Sequence, residues 1–208
     1  MYKNNVIKIR KPAPNFCGEA YYKDGFKKIS LKDFKGKYLL MFFYPFDFTF
    51  VCPTEIIAFS DRVQEFRKIG CEVVGISTDQ KFCHMKYCET ARDQGGLGKL
   101  NIMLISDIGK NISTNYGCLI DDENDEEYGA SFRGTYIIDN KGILRHYSIN
   151  DTSVGRNVDE YLRLIEAFIY TDTHDEVCQE SWKPGNQGIK CIKQSVHSHN
   201  SSACCSMI

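Results

Sequence analysis

The sequence has no hydrophobic run long enough to cross a bilayer, and neither sign of charge is in clear excess. A membrane-spanning helix needs about 20 consecutive apolar residues, and no stretch of the 208 residues approaches that length. Lysine and arginine number 26, aspartate and glutamate 27, and the net charge is −1. The sequence therefore predicts neither stable membrane insertion nor nucleic-acid binding.

Residues 1–11 are not expected to act as a secretory signal, because they alternate apolar and basic side chains without an apolar core. We therefore expect a cytoplasmic location, where permanent disulfides are rare. Cysteine, at 10 of 208 residues, lies below the roughly 8–10% of a disulfide scaffold. We expect most of these thiols to be buried or reactive. Their positions follow no regular framework: Cys17, Cys52, Cys71, Cys83, Cys88, Cys118, Cys178, Cys191, Cys204 and Cys205.

Strand-like and helix-like hydrophobic patterns alternate along the chain. Tyr38–Phe43 is a continuous apolar run typical of a central strand, and apolar residues at helical spacing predict a helix over 52–69. This order, followed by an antiparallel pair, predicts an α/β three-layer fold with a mixed central sheet. Further predicted strands are 71–77, 102–106, 131–139 and 142–149, further helices are 81–92, 112–116 and 157–170, and a hairpin joins 16–20 to 26–31.

Cys52 lies where the loop after the predicted central strand meets the start of a helix, with Pro53 in the first turn. Unpaired backbone N–H groups and the positive end of the helix dipole favour an anion at such a position. Since the thiolate is the nucleophilic form of cysteine, this location predicts an activated thiol. The alternative is a buried structural cysteine, which is the common fate of a lone cysteine.

The stretch around Cys52 resembles the peroxidatic-cysteine motif of the typical two-cysteine peroxiredoxins. Residues 43–55 read Phe-Tyr-Pro-Phe-Asp-Phe-Thr-Phe-Val-Cys-Pro-Thr-Glu. The likeness continues in order over residues 6–190, through Gly-Gly-Leu-Gly at 95–98, Ser-Phe-Arg-Gly at 131–134, Ile-Ile-Asp-Asn-Lys-Gly at 137–142, Val-Gly-Arg-Asn-Val-Asp-Glu at 154–160, Glu-Val-Cys at 176–178 and Trp-Lys-Pro-Gly at 182–185. The resemblance implies a thioredoxin-like fold with an extended C-terminal tail.

The resemblance also implies a peroxidase that reduces hydrogen peroxide and organic hydroperoxides. Cys52 would attack the hydroperoxide and become a sulfenic acid. Thr49 would hydrogen-bond the thiolate and the peroxide, and Pro45 would shield the pocket from water. Arg133 would stabilise the thiolate and the departing oxygen.

The same resemblance assigns supporting roles to two more charged residues. Glu55 would orient Arg133, and Arg156 would be a second cation around the site. From the residues alone, a surface salt bridge is the alternative for both arginines.

Cys178 resembles the resolving cysteine of the family. It would come from the partner chain, attack the sulfenic acid of Cys52 and form an intersubunit disulfide that thioredoxin reduces. The resemblance implies a homodimer, in many members a ring of five dimers, and no dissociable cofactor or metal. We expect a thioredoxin-like peroxidase domain over 1–170 and a resolving-cysteine segment with a flexible tail over 171–208.

The sequence departs from the family pattern in several places. Gln179 follows Cys178 where the family usually has proline, and residues 121–127 form an acidic insertion that we expect at the surface. The Tyr-Phe pair of hyperoxidation-sensitive members is absent, so we expect the tail to pack loosely and Cys52 to resist overoxidation.

Three alternatives to this interpretation stay open. His84 with Cys83 and Cys88 is a weak zinc pattern, for which packing is the favoured interpretation. The last four residues fit a loose prenylation box at Cys205. At the level of function, the rivals are a redox relay or holdase chaperone, and a peroxidase that draws electrons from glutathione or another dithiol.

Overall fold

A seven-stranded mixed sheet is the centre of the fold in the computed structural model, which describes residues 7–190. The strands are β1 (Cys17–Tyr22), β2 (Gly25–Ser30), β3 (Tyr38–Phe43), β4 (Cys71–Ser77), β5 (Met103–Ser106), β6 (Arg133–Ile138), β7 (Leu144–Asn150), β8 (Glu176–Val177) and β9 (Ile189–Lys190). The helices are α1 (Cys52–Asp61), α2 (Val63–Lys68), α3 (Lys81–Glu89), α4 (Asn111–Asn115) and α5 (Val158–Thr173), with 3-10 turns at Leu31–Phe34 and Arg92–Gln94.

The strand order in the large sheet is β2-β1-β5-β4-β3-β6-β7, and β8 and β9 form a separate two-stranded sheet. β4 pairs in parallel with β3 and β5, whereas the other pairs are antiparallel. β3 lies between β4 and β6 and is buried along its whole length. The predicted mixed sheet and the central place of β3 are confirmed.

The two faces of the sheet pack against different helices. Leu40 and Phe42 of β3 face a core that contains residues from α1, α2, α3 and α5. Leu39, Met41 and Phe43 face a second core, which contains residues from α4 and the first 3-10 turn. Because side chains alternate along a strand, one apolar run supplies both cores. The predicted three-layer fold follows from this arrangement.

Both predicted hairpins are present, and the first turns as its sequence demands. Lys23 and Asp24 have φ values of 49° and 62°, which a two-residue type I′ turn requires. The second hairpin joins β6 to β7, with a register shift at Ile137 and Ile138.

The single helix predicted over 52–69 is wrong, because it is interrupted at Arg62. There φ is −101° and ψ is 6°, and the chain restarts as α2 at Val63. Phe59 and Phe66 lie on opposite sides of the break yet share one core. The apolar spacing therefore continues through the interruption.

The remaining element ends differ by a few residues. α3 ends at Glu89 instead of 92, since Thr90 is extended and its carbonyl accepts from the Gly98 N–H. α5 continues to Thr173, past the boundary expected at 170, and β8 and β9 follow. The division of the chain at residue 170 stays a prediction.

The acidic stretch at 121–127 is an exposed loop, as expected. Residues 121–126 are exposed, and Tyr128 at its end lies over the Lys110 ammonium at 5.4 Å from the ring centroid. Within residues 7–190, no helix combines the length and apolar character that a membrane crossing requires. Cys191, the tail that lacks the Tyr-Phe pair and the possible prenylation site at Cys205 lie outside the described residues.

Candidate active site

Cys52 is the first residue of α1, and its side chain is almost completely buried, with 1% exposed. The chain reaches this position from β3 through a loop that contains the buried Pro45. Pro53 follows within the first turn, where a missing N–H costs no helical hydrogen bond. The expected thiol at a helix start is therefore present.

A buried arginine contacts the Cys52 thiol. The Arg133 guanidinium donates from Nη1 to Sγ of Cys52 at 3.5 Å and to Oε2 of Glu55 at 2.6 Å. Its Nε donates to the carbonyl of Thr152 at 2.7 Å. The Arg133 side chain is only 4% exposed, so solvent screens its charge poorly. The surface salt-bridge alternative does not describe this residue.

Glu55 joins Arg133 to a second buried arginine. Its Oε1 accepts from the backbone N–H of Arg156 at 2.8 Å and from Nε at 2.7 Å, and its Oε2 accepts from Nη2 at 3.0 Å. Burial alone would raise the pKa of Glu55, but the hydrogen bonds and charge of Arg156, with the charge of Arg133, lower it. Glu55 is therefore held as a carboxylate between two guanidinium groups.

Arg156 lies behind Glu55 as seen from the thiol. Its Nη1 donates to the Gly134 carbonyl at 2.9 Å and to the Thr135 hydroxyl at 3.2 Å. The guanidinium carbon also lies 5.3 Å from the ring centroid of Phe42 in β3. In the described chain, the Arg156 side chain therefore connects Glu55 to the sheet by hydrogen bonds. The cation in contact with the Cys52 sulfur is Arg133.

The loop before Cys52 has a constrained backbone and an exposed aromatic side chain. Phe48 has a φ of 55°, a left-handed conformation that is uncommon for a bulky residue and is often found at functional sites. The Thr49 hydroxyl donates to the carbonyl of Phe46 at 3.1 Å and makes no hydrogen bond to Cys52 in the described structure. Phe50 is 94% exposed.

Cys178 follows β8 and is packed against α5. Its thiol lies 3.7 Å from the carbonyl of Ala167, and both Cys178 and Cys52 are free thiols in the chain. Burial, helped by the charge of Glu176, raises the pKa of Cys178 although the Arg163 charge opposes it. The docked Cys178 is therefore kept in its less nucleophilic thiol form.

A polar cluster that the sequence analysis did not assign anchors the loop before Cys52. Asp47 accepts from the Tyr44 hydroxyl at 2.9 Å, and its Oδ2 lies 2.8 Å from Nδ1 of His84. Asp79 accepts from the backbone N–H of Asp47 at 2.9 Å and from the Ser77 hydroxyl at 2.7 Å. The sequence signals for this cluster were the position of Asp47 within the motif at 43–55 and the weak zinc pattern of His84 and Cys83, and nothing in the sequence joined the two.

The same cluster contains the only grouping of metal-ligand atoms in the described chain. Atoms of Asp47, Asp79 and Cys83 lie within 4.8 Å of one another. However, hydrogen bonds already use both oxygens of Asp47 and one oxygen of Asp79, and burial, with the two carboxylate charges, raises the pKa of Cys83 to about 12. His84 is fully buried by packing, as expected. These residues therefore do not fit a zinc site, which needs a thiolate and about four converging ligands.

Comparison with known proteins places this chain in a family. The AhpC/TSA family matches residues 9–147. Peroxiredoxin-2 of Rattus norvegicus is 56% identical over 182 residues, covering 88% of this chain and 89% of the relative. Peroxiredoxin-1 of Gekko japonicus is 56% identical over 183 residues, with 88% and 89% covered.

Solved structures agree with the sequence relatives. The reduced 2-Cys peroxiredoxin of Plasmodium vivax superposes with a TM-score of 0.82 at 39% identity, covering 86% of this chain and 91% of that one. A Plasmodium yoelii Prx1a, which forms an artifactual octamer when modified at its N-terminus, has a TM-score of 0.73 at 39% identity, with 85% and 99% covered. The chain therefore belongs to the two-cysteine peroxiredoxins of the AhpC/TSA family, which are thiol peroxidases.

Proposed function

We propose that the protein reduces hydroperoxides at Cys52 and is recycled by thioredoxin through a disulfide with Cys178 of a partner chain. The supporting observation is the 3.5 Å contact between the buried Arg133 guanidinium and the Cys52 thiol. The thiolate attacks the terminal oxygen of ROOH, the O–O bond breaks, and the products are a sulfenic acid and, after protonation, ROH. Sulfur is oxidised and the peroxide is reduced by the same electron pair.

Arg133 supplies the positive charge that this step needs. Negative charge leaves sulfur and develops on the departing oxygen, and a guanidinium that is already fixed beside the sulfur can stabilise both. Glu55 and Thr152 hold it there. In this proposal Thr49 donates to the peroxide after releasing the Phe46 carbonyl, and Pro45 keeps bulk water away.

The second step joins two chains. The Cys178 thiolate of the partner attacks the sulfenic sulfur, the S–O bond breaks, hydroxide leaves and is protonated to water, and the disulfide forms. Bridged cysteines need Cβ atoms within about 4.5 Å. Because Cys52 is 1% exposed, the first turn of α1 must open before a second chain can reach it. Thioredoxin then reduces the disulfide by exchange and returns both thiols.

The open edge of the large sheet supports a homodimer. β7 is the last strand of that sheet. Arg10 and Lys11 pair with Leu144 at its start, and the part of the edge beyond Leu144 presents unpaired backbone groups to another chain. Tyr147 and Ile149 on this strand are 39% and 40% exposed. The octamer of the Plasmodium yoelii relative also supports self-association. A ring of five dimers, like a cytoplasmic location, remains a prediction.

A coupled assay tests the proposed activity. Hydrogen peroxide should drive NADPH oxidation only when thioredoxin and its reductase are both present, and Cys52→Ser should abolish it. Turnover with glutathione and glutaredoxin, but not with thioredoxin, would show that glutathione and not thioredoxin is the electron donor. Protection of a heat-denatured client by Cys52→Ser, without peroxide turnover in the parent, would instead establish a holdase.

A further inference from the structure

Two hydrogen-bond donors near the end of α5 converge on one carboxylate. The Tyr170 hydroxyl donates to Oε2 of Glu176 in β8. The backbone N–H of Gly188, just before β9, donates to the same oxygen at 2.9 Å and to the Tyr170 oxygen at 3.0 Å. These bonds connect α5 to both sides of the hairpin that carries Cys178. We call Tyr170, Glu176 and Gly188 the hairpin latch.

Two aromatic rings pack against Tyr170 in the latch. The His174 ring is stacked on the Tyr170 ring at a centroid distance of 4.0 Å. The Trp182 ring lies at 5.0 Å, is only 2% exposed and donates from Nε1 to the Asn186 carbonyl at 3.0 Å. The loop between β8 and β9 is therefore closed over Tyr170.

The latch leaves no room for a side chain at residue 188. A Cβ atom on Gly188 would lie 2.8 Å from the Val177 carbonyl, 2.9 Å from Cβ of Glu176 and 3.0 Å from the Tyr170 ring. Since real Cβ atoms rarely approach so closely, only glycine fits at position 188 of this hairpin. The adjacent Cys178 thiol is then held against the Ala167 carbonyl at 3.7 Å.

We propose that Tyr170 and Glu176 are positioning residues that keep Cys178 docked on its own α5, and that opening of the latch releases the thiol for attack on a partner chain. The role in catalysis rests on the proposed function of Cys178. A thiol that contacts a carbonyl oxygen must leave it to ionise and attack, because the carbonyl repels the thiolate. The strength of the latch therefore sets the fraction of chains in which Cys178 is reactive.

Two substitutions weaken the latch without removing packing. Glu176→Gln replaces the carboxylate acceptor with a neutral amide of the same shape. Tyr170→Phe removes only the hydroxyl and keeps the ring contacts with His174 and Trp182. Glu180→Gln is the matched control, since Glu180 is exposed and lies in the same loop.

The measurement is the rate at which N-ethylmaleimide alkylates Cys178 in the fully reduced, full-length protein, followed by peptide mass spectrometry without peroxide. The exposed Cys17 is the internal reference for reagent activity, and the buried Cys71 reports any general loss of structure. We expect Glu176→Gln and Tyr170→Phe each to raise the Cys178 rate about five- to tenfold relative to Cys17, which corresponds to the net contribution of one typical hydrogen bond. Glu180→Gln should leave it unchanged.

Because Tyr170 and Glu176 bond one another, the Cys178 alkylation rate of the double variant should rise by less than the product of the two single increases. An unchanged Cys178 rate in both single variants would overturn the proposal. An equal increase in Glu180→Gln, or a simultaneous increase at Cys71, would overturn it too, since the latch would then not be the cause.

Peroxide separates this inference from the proposed function. If the latch variants alkylate faster but the parent forms no disulfide with hydrogen peroxide, the latch stands and the resolving role of Cys178 fails. If the parent forms the disulfide and the variants alkylate at the parent rate, the latch fails alone. When both hold, single-turnover disulfide formation should accelerate in the variants while Cys52 oxidation keeps its rate.

Discussion

Nη1 of Arg133 lies 3.5 Å from the sulfur of Cys52, and the same nitrogen donates to Glu55 at 2.6 Å. One guanidinium nitrogen thus lies between the reactive thiol and a buried carboxylate. Glu55 fixes the orientation of this donor, but it also neutralises part of the charge that reaches sulfur. Because Arg156 also pairs with this carboxylate, Glu55 neutralises less of the positive charge of Arg133.

The first prediction concerns Arg133. Arg133→Gln should reduce kcat/KM for hydrogen peroxide by about 100- to 1000-fold, because it removes a preorganised charge from the site where charge develops. Stopped-flow competition for peroxide measures this step without the electron donor. Arg62→Gln removes an arginine that pairs with Glu65 and Asp159 at the surface, and should change the rate less than about twofold. A loss of less than tenfold for Arg133→Gln would contradict the assigned role.

The second prediction concerns the stability contributed by Glu55. Glu55→Gln should lower the free energy of unfolding by about 3 kcal/mol, because it leaves two buried guanidinium groups without their counter-charge. The side chains of Arg133 and Arg156 are 4% and 0% exposed, so water cannot replace it. Urea unfolding at neutral pH, monitored by circular dichroism, measures the difference.

The pH dependence of that difference has a definite sign. The folded state lowers the pKa of Glu55 from its ordinary 4.5, so its stabilisation is fully present above pH 4.5. It is lost as pH falls through the lower pKa of the folded state. The difference in free energy of unfolding between the parent and Glu55→Gln should therefore be constant from pH 7 to 5 and become smaller below about pH 4.5. A difference that widens in acid would show that the carboxylate is not the origin.

The sequence could predict the sheet because its strands depend on local patterns. Tyr38–Phe43 is apolar at every position, which a strand buried on both faces requires. The interruption at Arg62 was missed because Phe59 and Phe66 keep helical spacing across it and pack in the same core. No glycine or proline marks the break, so local propensity carried no signal there.

The active site depended on contacts that no local pattern contains. Arg133 and Arg156 meet Glu55 from 78 and 101 residues away. Only the resemblance to a family brought them to Cys52, with Arg133 expected beside the thiolate and Arg156 as a second cation around the site. The link from Asp47 to His84 was missed for the same reason, since the fold alone brings α3 to the loop before Cys52.

The third prediction concerns the resolving thiol. Peroxide treatment of the parent should give a dimer on a denaturing gel that disappears with dithiothreitol, because Cys52 and Cys178 of two chains become joined. Cys178→Ser should give none, whereas Cys83→Ser should behave as the parent, since burial and nearby carboxylates raise the pKa of Cys83 to about 12. A dimer that persists in Cys178→Ser would identify another resolving cysteine.

The last prediction concerns the open edge of the sheet. Ile149→Lys should weaken self-association about 10- to 100-fold, because in a two-fold symmetric pair each substitution places a charge at the shared edge twice. Analytical ultracentrifugation of the reduced protein over a range of concentrations measures the dissociation constant. Tyr128→Lys is the control, since Tyr128 is 51% exposed and follows the acidic loop, outside β7. If the dissociation constant of Ile149→Lys equals that of the parent while that of Tyr128→Lys is higher, the dimer does not form through β7.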